Sequence, residues 1–353
     1  MNIEDQILTN CTRQDFDITH QRKNVDICRG KNICWDKVLK TADIHGVAPL
    51  VYTNLTKHGT DELGIPPSIL KTFKFILLGN VIRKQKTKAA IQRILALFAE
   101  NSIDVMLVKG AALNFSHIYD QAWYTVSDDV DLVIKQKRDG LSKAERKILI
   151  GELDRINHTT DPHIEHFEYD FFEHHDVTMN NVVKIDSNKI WQDGHQIQIC
   201  DQPVYIMSTE DMLIATGINA CRKRYFKLKN LLDMSAIVRK NPEMDWEKLI
   251  YKTHKYQCDN IIYTALYLTQ RILGFNFPED IFDDLDVNKT RKTIINKIFN
   301  SLSQHSTLLD LVTPSKCKVF GRALNQSLFL TYASYTWDQI GRKLINLLSP
   351  QRV

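Results

Sequence analysis

The chain has 353 residues, 43% of them hydrophobic, and a formal net charge of +4. That apolar share supports one large core or two ordinary ones, which excludes a disordered or fibrous chain. The charge excess is too small to require a nucleic-acid partner and agrees with any anionic ligand, a nucleotide included.

The opening "MNIEDQILTN" carries acids where a signal peptide would carry bases. No apolar stretch approaches the roughly 20 residues needed to cross a bilayer, so a cytoplasmic protein with no membrane partner is expected. Seven cysteines (Cys11, Cys28, Cys34, Cys200, Cys221, Cys258, Cys317) are scattered without a CxxC pair, which suits reduced thiols rather than a disulfide framework or zinc site.

In chain order, residues 1–100 read as a helical part. "WDKVLKTADIHGVAPLVYTNL" and "SILKTFKFILLGNVIRKQKTKAAIQRILALFAEN" space their apolar residues by three and four, and Pro66 and Pro67 stand where a helix start tolerates a missing N–H. The pattern changes at Ile103. "IDVMLV" is a short apolar strand, "KGAALNFSHIY" a helix, "DVDLVI" a second strand, and "SKAERKILIGELDRI" a helix opening on a Ser142–Glu145 capping box. Further strands are expected around "NNVVKID", "HQIQIC" and "PVYIM", with a turn at Asp193–Gly194. From Ser208, "STEDMLIATGINA" opens a capping box to Asp211 and the remainder is helical. The fold class is therefore α/β of the α+β type: a small mixed-sheet core, residues 101–207, between helical parts 1–100 and 208–353.

In a strand alternate side chains share a face, so Asp129 and Asp131 point the same way, with Cα atoms roughly 7 Å apart. Asp128 has the opposite parity and suits a turn. Carboxylates so paired can hold Mg²⁺ or Mn²⁺ for phosphoryl displacement; Mg²⁺ needs only one or two protein carboxylates when substrate phosphates complete its shell. The plainer alternative is a solvated turn. Upstream, Lys109 and Gly110 lie between strand and helix, where glycine admits close ligand approach and the first helical N–H groups face an anion. They are candidates to hold a nucleoside triphosphate; the alternative is a surface lysine beside a turn glycine.

The run "VMLVKGAAL" followed by "DVDLVI" resembles the KG- and DxD-containing signature of an uncharacterised bacterial nucleotidyltransferase family within the DNA polymerase beta-like superfamily. Similarity extends to "WDKVLKTADIHGVAPLVYTNL", "STEDMLIATGINACRKRYFKLKNLLDMSAIV" and "ALYLTQRILG", roughly residues 35 to 275. The resemblance implies a nucleotidyltransferase core, Mg²⁺ at Asp129 and Asp131, and transfer of a nucleoside monophosphate from an NTP, ATP first among them, to an acceptor that is a protein or peptide, a small molecule or an RNA. The sequence departs from the pattern at Ala111, where Gly or Ser is usual, and at Thr125, where the family often has arginine. Where the family carries a Glu and a His two residues apart, this chain has Lys184 and Asp186; Asp186 is the candidate third carboxylate, as metal ligand or base.

Other motifs weigh less. The segment holding His158, His163, His166, His174 and His175 matches no zinc spacing and reads as a polar, acid-rich loop. "CRKRYFKLKN" gathers Arg222, Lys223, Arg224, Lys227 and Lys229, a cluster that attracts phosphates or is simply solvated. Asp233 is expected to pair with a base. Two competing functions are a DxD sugar-nucleotide glycosyltransferase, disfavoured by the helical residues preceding the first strand, and a catalytically degenerate binding module, motivated by Thr125 and Lys184.

Overall fold

The computed structural model describes residues 2–126, 130–135, 151, 169–172, 183, 185–223, 225, 227–305 and 308. The N-terminal part opens with α1 (Ile3–Cys11), where the Asn2 side chain accepts the Asp5 N–H at 2.8 Å, and α2 (Ile18–Cys28), which starts on an Asp17/His20 capping box. Next come α3 (Trp35–Ile44), α4 (Ala48–Thr56) and the long α5 (Pro67–Glu100), with Pro66 as its N-cap and Pro67 as its first residue. Leu50, Leu55, Phe73, Ile94 and Phe98 bury completely among these helices. Helix α5 stops where Ser102 turns left-handed at φ +53° and the Ile103 N–H returns to the Phe98 carbonyl at 2.9 Å.

That stop launches β1 (Val105–Val108), all four residues buried. The sheet runs β3-β2-β1-β5-β4, with β2 at Val130–Ile134, β3 at Tyr169–Phe172, β4 at His195–Ile199 and β5 at Gln202–Ile206. β1 is antiparallel to β2 and parallel to β5; β2 and β3 are parallel, β4 and β5 antiparallel. A central strand has no solvent face, which is why β1 is a continuous apolar run rather than an alternation. The fold is thus α+β, a small mixed sheet flanked by helices.

Two local expectations need correction. The Asp193–Gly194 pair does not turn one strand into the next: Asp193 ends helix α7 (Ser187–Asp193), and Gly194 is extended at φ −70° and ψ 160°. The ladder from His195↔Ile206 to Ile199↔Gln202 leaves Cys200 and Asp201 as the loop, both with positive φ, +50° and +62°. A two-residue primed turn demands that conformation, and the ladder imposes it even without glycine. The strand expected around "NNVVKID" is also not seen at its described end: Ile185 and Asp186 lie outside any strand, and the Asp186 carboxylate accepts the Lys189 N–H to start α7. A side chain that caps a helix N-terminus competes directly with extended backbone. Residues 181, 182 and 184 lie outside the described residues, as do the five histidines of the histidine-rich segment and all of the helix expected from Ser142 except Gly151, which is helical. The segment is not a plain loop, because its "YDFF" run, Tyr169–Phe172, is β3.

Gly194 has a different task from a turn. A Cβ there would lie 2.8 Å from the Ile206 carbonyl oxygen and 3.0 Å from that of Ile190. Gly194→Ala is therefore expected to destabilise the fold by about 1–3 kcal/mol through forced backbone displacement, measurable as a lower urea midpoint at unchanged slope.

Beyond β5, Ser208 caps α8 (Thr209–Arg222): its Oγ accepts the Asp211 N–H at 3.2 Å and its hydroxyl meets the Asp211 carboxylate at 2.9 Å. Then follow α9 (Leu228–Lys240), α10 (Trp246–Lys255), α11 (Asp259–Leu273), α12 (Ile281–Asp284) and α13 (Lys289–His305). Helix α8 is buried along most of its length because α9, α10 and α11 all pack on it. One buried cation fastens this layer to the sheet side. Lys252 on α10 is 2% exposed and places its Nζ 2.5 Å from Asp211 of α8 and 2.7 Å from Asp193 of α7.

Candidate active site

The site begins at the end of β1. Lys109 has φ +52°, a left-handed conformation directly after the strand, and α6 (Lys109–Phe115) starts on it. For a residue with a Cβ that conformation costs roughly 1–2 kcal/mol, so it requires compensation. The compensation is electrostatic: Lys109 Nζ lies 2.5 Å from Asp131 Oδ1. Val108 and Asp131 are register partners, so the strand that ends and the strand that begins bring the two side chains together. The Asp131 side chain is 7% exposed and that of Lys109 19%. A carboxylate so nearly dry must be paired or bind a cation.

Lys109, Gly110 and Asp131 open onto a polar cavity of about 590 Å³. A second wall is the α3–α4 turn, Asp43 to Gly46; the third is Asn219, Arg222 and Lys223 at the end of α8 with Lys227, Lys229 and Asn230 at the start of α9. Arg222 and Lys223 are exposed and Lys227 half-buried.

His45 holds these walls in place. It is fully buried; its Nδ1 accepts the Leu228 N–H at 3.0 Å and its Nε2 lies 3.1 Å from the Leu308 carbonyl oxygen, so the hydrogen bonds assign the proton to Nε2. Its own carbonyl accepts the Lys229 N–H at 3.3 Å, and the Gly46 carbonyl accepts the Val126 N–H at 3.2 Å. Gly46 needs its freedom: φ is +70°, and the Lys229 side chain passes 3.6 Å from where a Cβ would stand. A two-residue turn thus joins the basic segment to the approach of β2.

Behind the basic wall, Lys229 Nζ lies 2.8 Å from Asp233 Oδ2, and the Tyr119 hydroxyl donates to Asp233 Oδ1. The expected pairing of Asp233 with a base is therefore observed. Burial, and next the Asp233 charge, push the Tyr119 hydroxyl well above the ordinary phenol range, with a hydrogen bond to Thr125 acting the other way. Thr125, which replaces the arginine of the resemblance, is itself buried, so this position supports Tyr119 instead of reaching for phosphate.

Chemically, the cavity sets Lys109, Arg222, Lys223, Lys227 and Lys229 against Asp43 and Asp131, a composition suited to a polyanion such as a triphosphate. Helix α6 has only seven residues, so its dipole adds little and the side chains carry the attraction. A divalent metal fits the donor chemistry: Asp131 offers hard carboxylate oxygen inside the cavity, and Mg²⁺ needs few protein ligands when phosphates complete its shell. Among the described residues no group of three or more His, Cys, Asp or Glu is arranged to hold a metal by itself.

Of the residues singled out from sequence, Lys109, Gly110, Asp131, Arg222, Lys223, Lys227 and Lys229 meet at this cavity. Asp129, Lys184, Arg224 and the five histidines His158, His163, His166, His174 and His175 lie outside the described residues. Asp186 is described elsewhere: it caps α7, its carboxylate is 3.6 Å from Lys255 Nζ, and it does not line the cavity. The β2–β3 register pairs the backbone of Asp170 with that of Asp131. Sequence reasoning missed Asp43, His45, Gly46, Asn219 and Asn230. The only signal was "DIHGVAP", which reads as a helix stop followed by a helix start.

Among the described residues, no helix is long and apolar enough to cross a membrane. Comparison with curated proteins and with solved structures gave no match. A family model described as an uncharacterised nucleotidyltransferase matches residues 31–274. That span takes in all three walls of the cavity and ends on Gly274, the left-handed residue that closes α11. With the match covering most of the chain and every wall of its cationic cavity, this protein belongs to that nucleotidyltransferase family.

Proposed function

We propose that this protein is a divalent-metal-dependent transferase that moves a nucleoside monophosphate from an NTP, ATP first among them, to a hydroxyl or phosphate of an acceptor. The observation that carries the reading is the single cavity in which the KG turn, Asp131 and the basic Arg222–Asn230 segment converge. Residues from all three parts, 1–100, 101–207 and 208–353, line it, so the core would need both helical parts to act.

In the reaction the acceptor oxygen bonds to the α-phosphorus, the bond to pyrophosphate breaks, and pyrophosphate leaves with the electron pair. A bound Mg²⁺ or Mn²⁺ would neutralise phosphoryl charge during this in-line displacement. Asp129 and Asp131 would hold it. Lys109, Arg222, Lys223 and Lys227 would bind the phosphate chain and steady the departing pyrophosphate. A third carboxylate would take the acceptor proton. Asp186 is one candidate; the register beside Asp131 favours Asp170.

The test is transfer of label from each α-labelled NTP, with Mg²⁺ or Mn²⁺, into host-cell lysate. Product from the wild type but not from an Asp129→Ala/Asp131→Ala variant is the expected result, and its protease or RNase sensitivity identifies the acceptor class. Arg222→Ala/Lys227→Ala is expected to weaken NTP binding by roughly 10-fold or more, with a shallower dependence on salt. The second reading, a silent nucleotide-binding module, draws on the ion pair that already occupies Asp131; saturable NTP binding without any label transfer would establish it.

A further inference from the structure

We infer that Lys109 is a built-in stand-in for the divalent metal: its ammonium holds Asp131 while the metal is absent and gives up that carboxylate when metal arrives with the nucleotide. The inference rests on the nucleotidyltransferase reading above and adds a residue that sets metal affinity and couples it to the substrate.

Three observations carry it. Lys109 Nζ sits 2.5 Å from Asp131 Oδ1, on the one carboxylate that the described part of the DxD strand presents to the cavity. The placement is imposed by the backbone, since Lys109 adopts φ +52° directly after Val108, the register partner of Asp131. The same cavity also contains Arg222, Lys223 and Lys227, so a polyanion held there stands within the space that a released lysine head would enter.

The physics is competition between cations. A divalent ion and an ammonium in contact with one carboxylate oxygen repel each other strongly where water is scarce. Metal alone must therefore displace the lysine before it reaches Asp131, and binds poorly. Metal with a triphosphate offers the displaced ammonium a new anion, and the flexible four-carbon stem allows the exchange. Binding of either ligand then favours the other, as reciprocal linkage requires. The lysine also keeps Asp131 neutralised between turnovers, so the nearly dry carboxylate is never left without a cation.

The experiment is calorimetric titration of the full chain with Mn²⁺ alone, and again with a non-hydrolysable triphosphate present. The proteins compared are wild type, Lys109→Met, Lys109→Gln and Lys109→Met/Asp131→Asn. Lys109→Met and Lys109→Gln are expected to bind Mn²⁺ alone about 10-fold more tightly than wild type and to lose most of the enhancement by triphosphate. Their unfolding temperature, lowered without metal, should recover when Mn²⁺ is added, and the double variant should bind no Mn²⁺ and show no recovery. Equal or weaker Mn²⁺ binding by both folded neutral variants would overturn the lysine's role and leave the transferase reading standing. Absence of Mn²⁺ binding in every protein, with triphosphate present, would overturn both. Two neutral variants that unfold without metal and do not refold with Mn²⁺ would assign the ion pair to structure alone.

Discussion

Asp131→Asn is expected to lower nucleotidyl transfer by roughly 10²–10³-fold while leaving the protein folded. The amide keeps the shape of the carboxylate and an oxygen that can accept from Lys109, so the β1–β2 junction keeps its contact. It loses the negative charge, and with it both the affinity for a divalent ion and the means of placing that ion against the phosphates. The effect belongs in kcat/KM for the α-labelled NTP, compared with the wild type at saturating Mg²⁺. An unfolding temperature within a few degrees of wild type makes the loss a matter of chemistry. Transfer at the wild-type rate would remove Asp131 from the mechanism and move the search to a different cavity.

The largest stability effect is expected at Lys252. Lys252→Met takes away the ammonium that lies 2.5 Å from Asp211 and 2.7 Å from Asp193, and leaves two carboxylates facing a thioether. Removing one partner of a buried ionic cluster costs about 3–5 kcal/mol, because Asp211 stays out of water without its cation, while Asp193 keeps Lys189 and Lys248. For a domain of this size that corresponds to a fall in Tm on the order of 10 °C. Asp211→Asn in the same chain should return part of the loss, which a double-mutant cycle measures. Additive losses would show that Lys252 acts through packing of its stem.

The same cluster gives an acid dependence of definite sign. Burial by itself raises the Asp193 carboxyl, but its ion pairs with Lys252 and Lys189 outweigh that and hold it at about 2, below its ordinary 3.8. A carboxyl depressed in the folded state contributes stability above its unfolded value and loses it as pH falls through the folded one. The stability of the wild type should therefore decline below about pH 4 down to about pH 2. In Lys252→Met that part of the decline should shrink.

Much of the architecture was legible because it is local. The β2 strand, Val130–Ile134, follows from a short β-branched run. Likewise "VKG" announced a strand giving way to a helix, and β1 and α6 meet at that point. Caps were readable for the same reason: Ser208 and Asp211 are three residues apart and satisfy each other wherever the helix lies. Local signals failed where a distant partner had the stronger claim. Asp193–Gly194 has turn composition, yet Asp193 ends α7 and Gly194 leads directly into β4, so no strand turns there. Asp186 reads as a strand residue only until its side chain is counted as a helix cap.

By itself, then, the sequence determined the α+β class, the order of strands and helices around residue 110 and the nucleotidyltransferase resemblance. All of these depend on residues within a few positions of one another. Only the tertiary structure decided that Arg222, Lys223, Lys227 and Lys229 line one cavity with the KG turn. His45 meets Leu228 across 183 positions, and Lys109 meets Asp131 across 22. No periodicity encodes those distances. They are set by which apolar faces bury against which others, and the free energy of that burial is a property of the whole packed core.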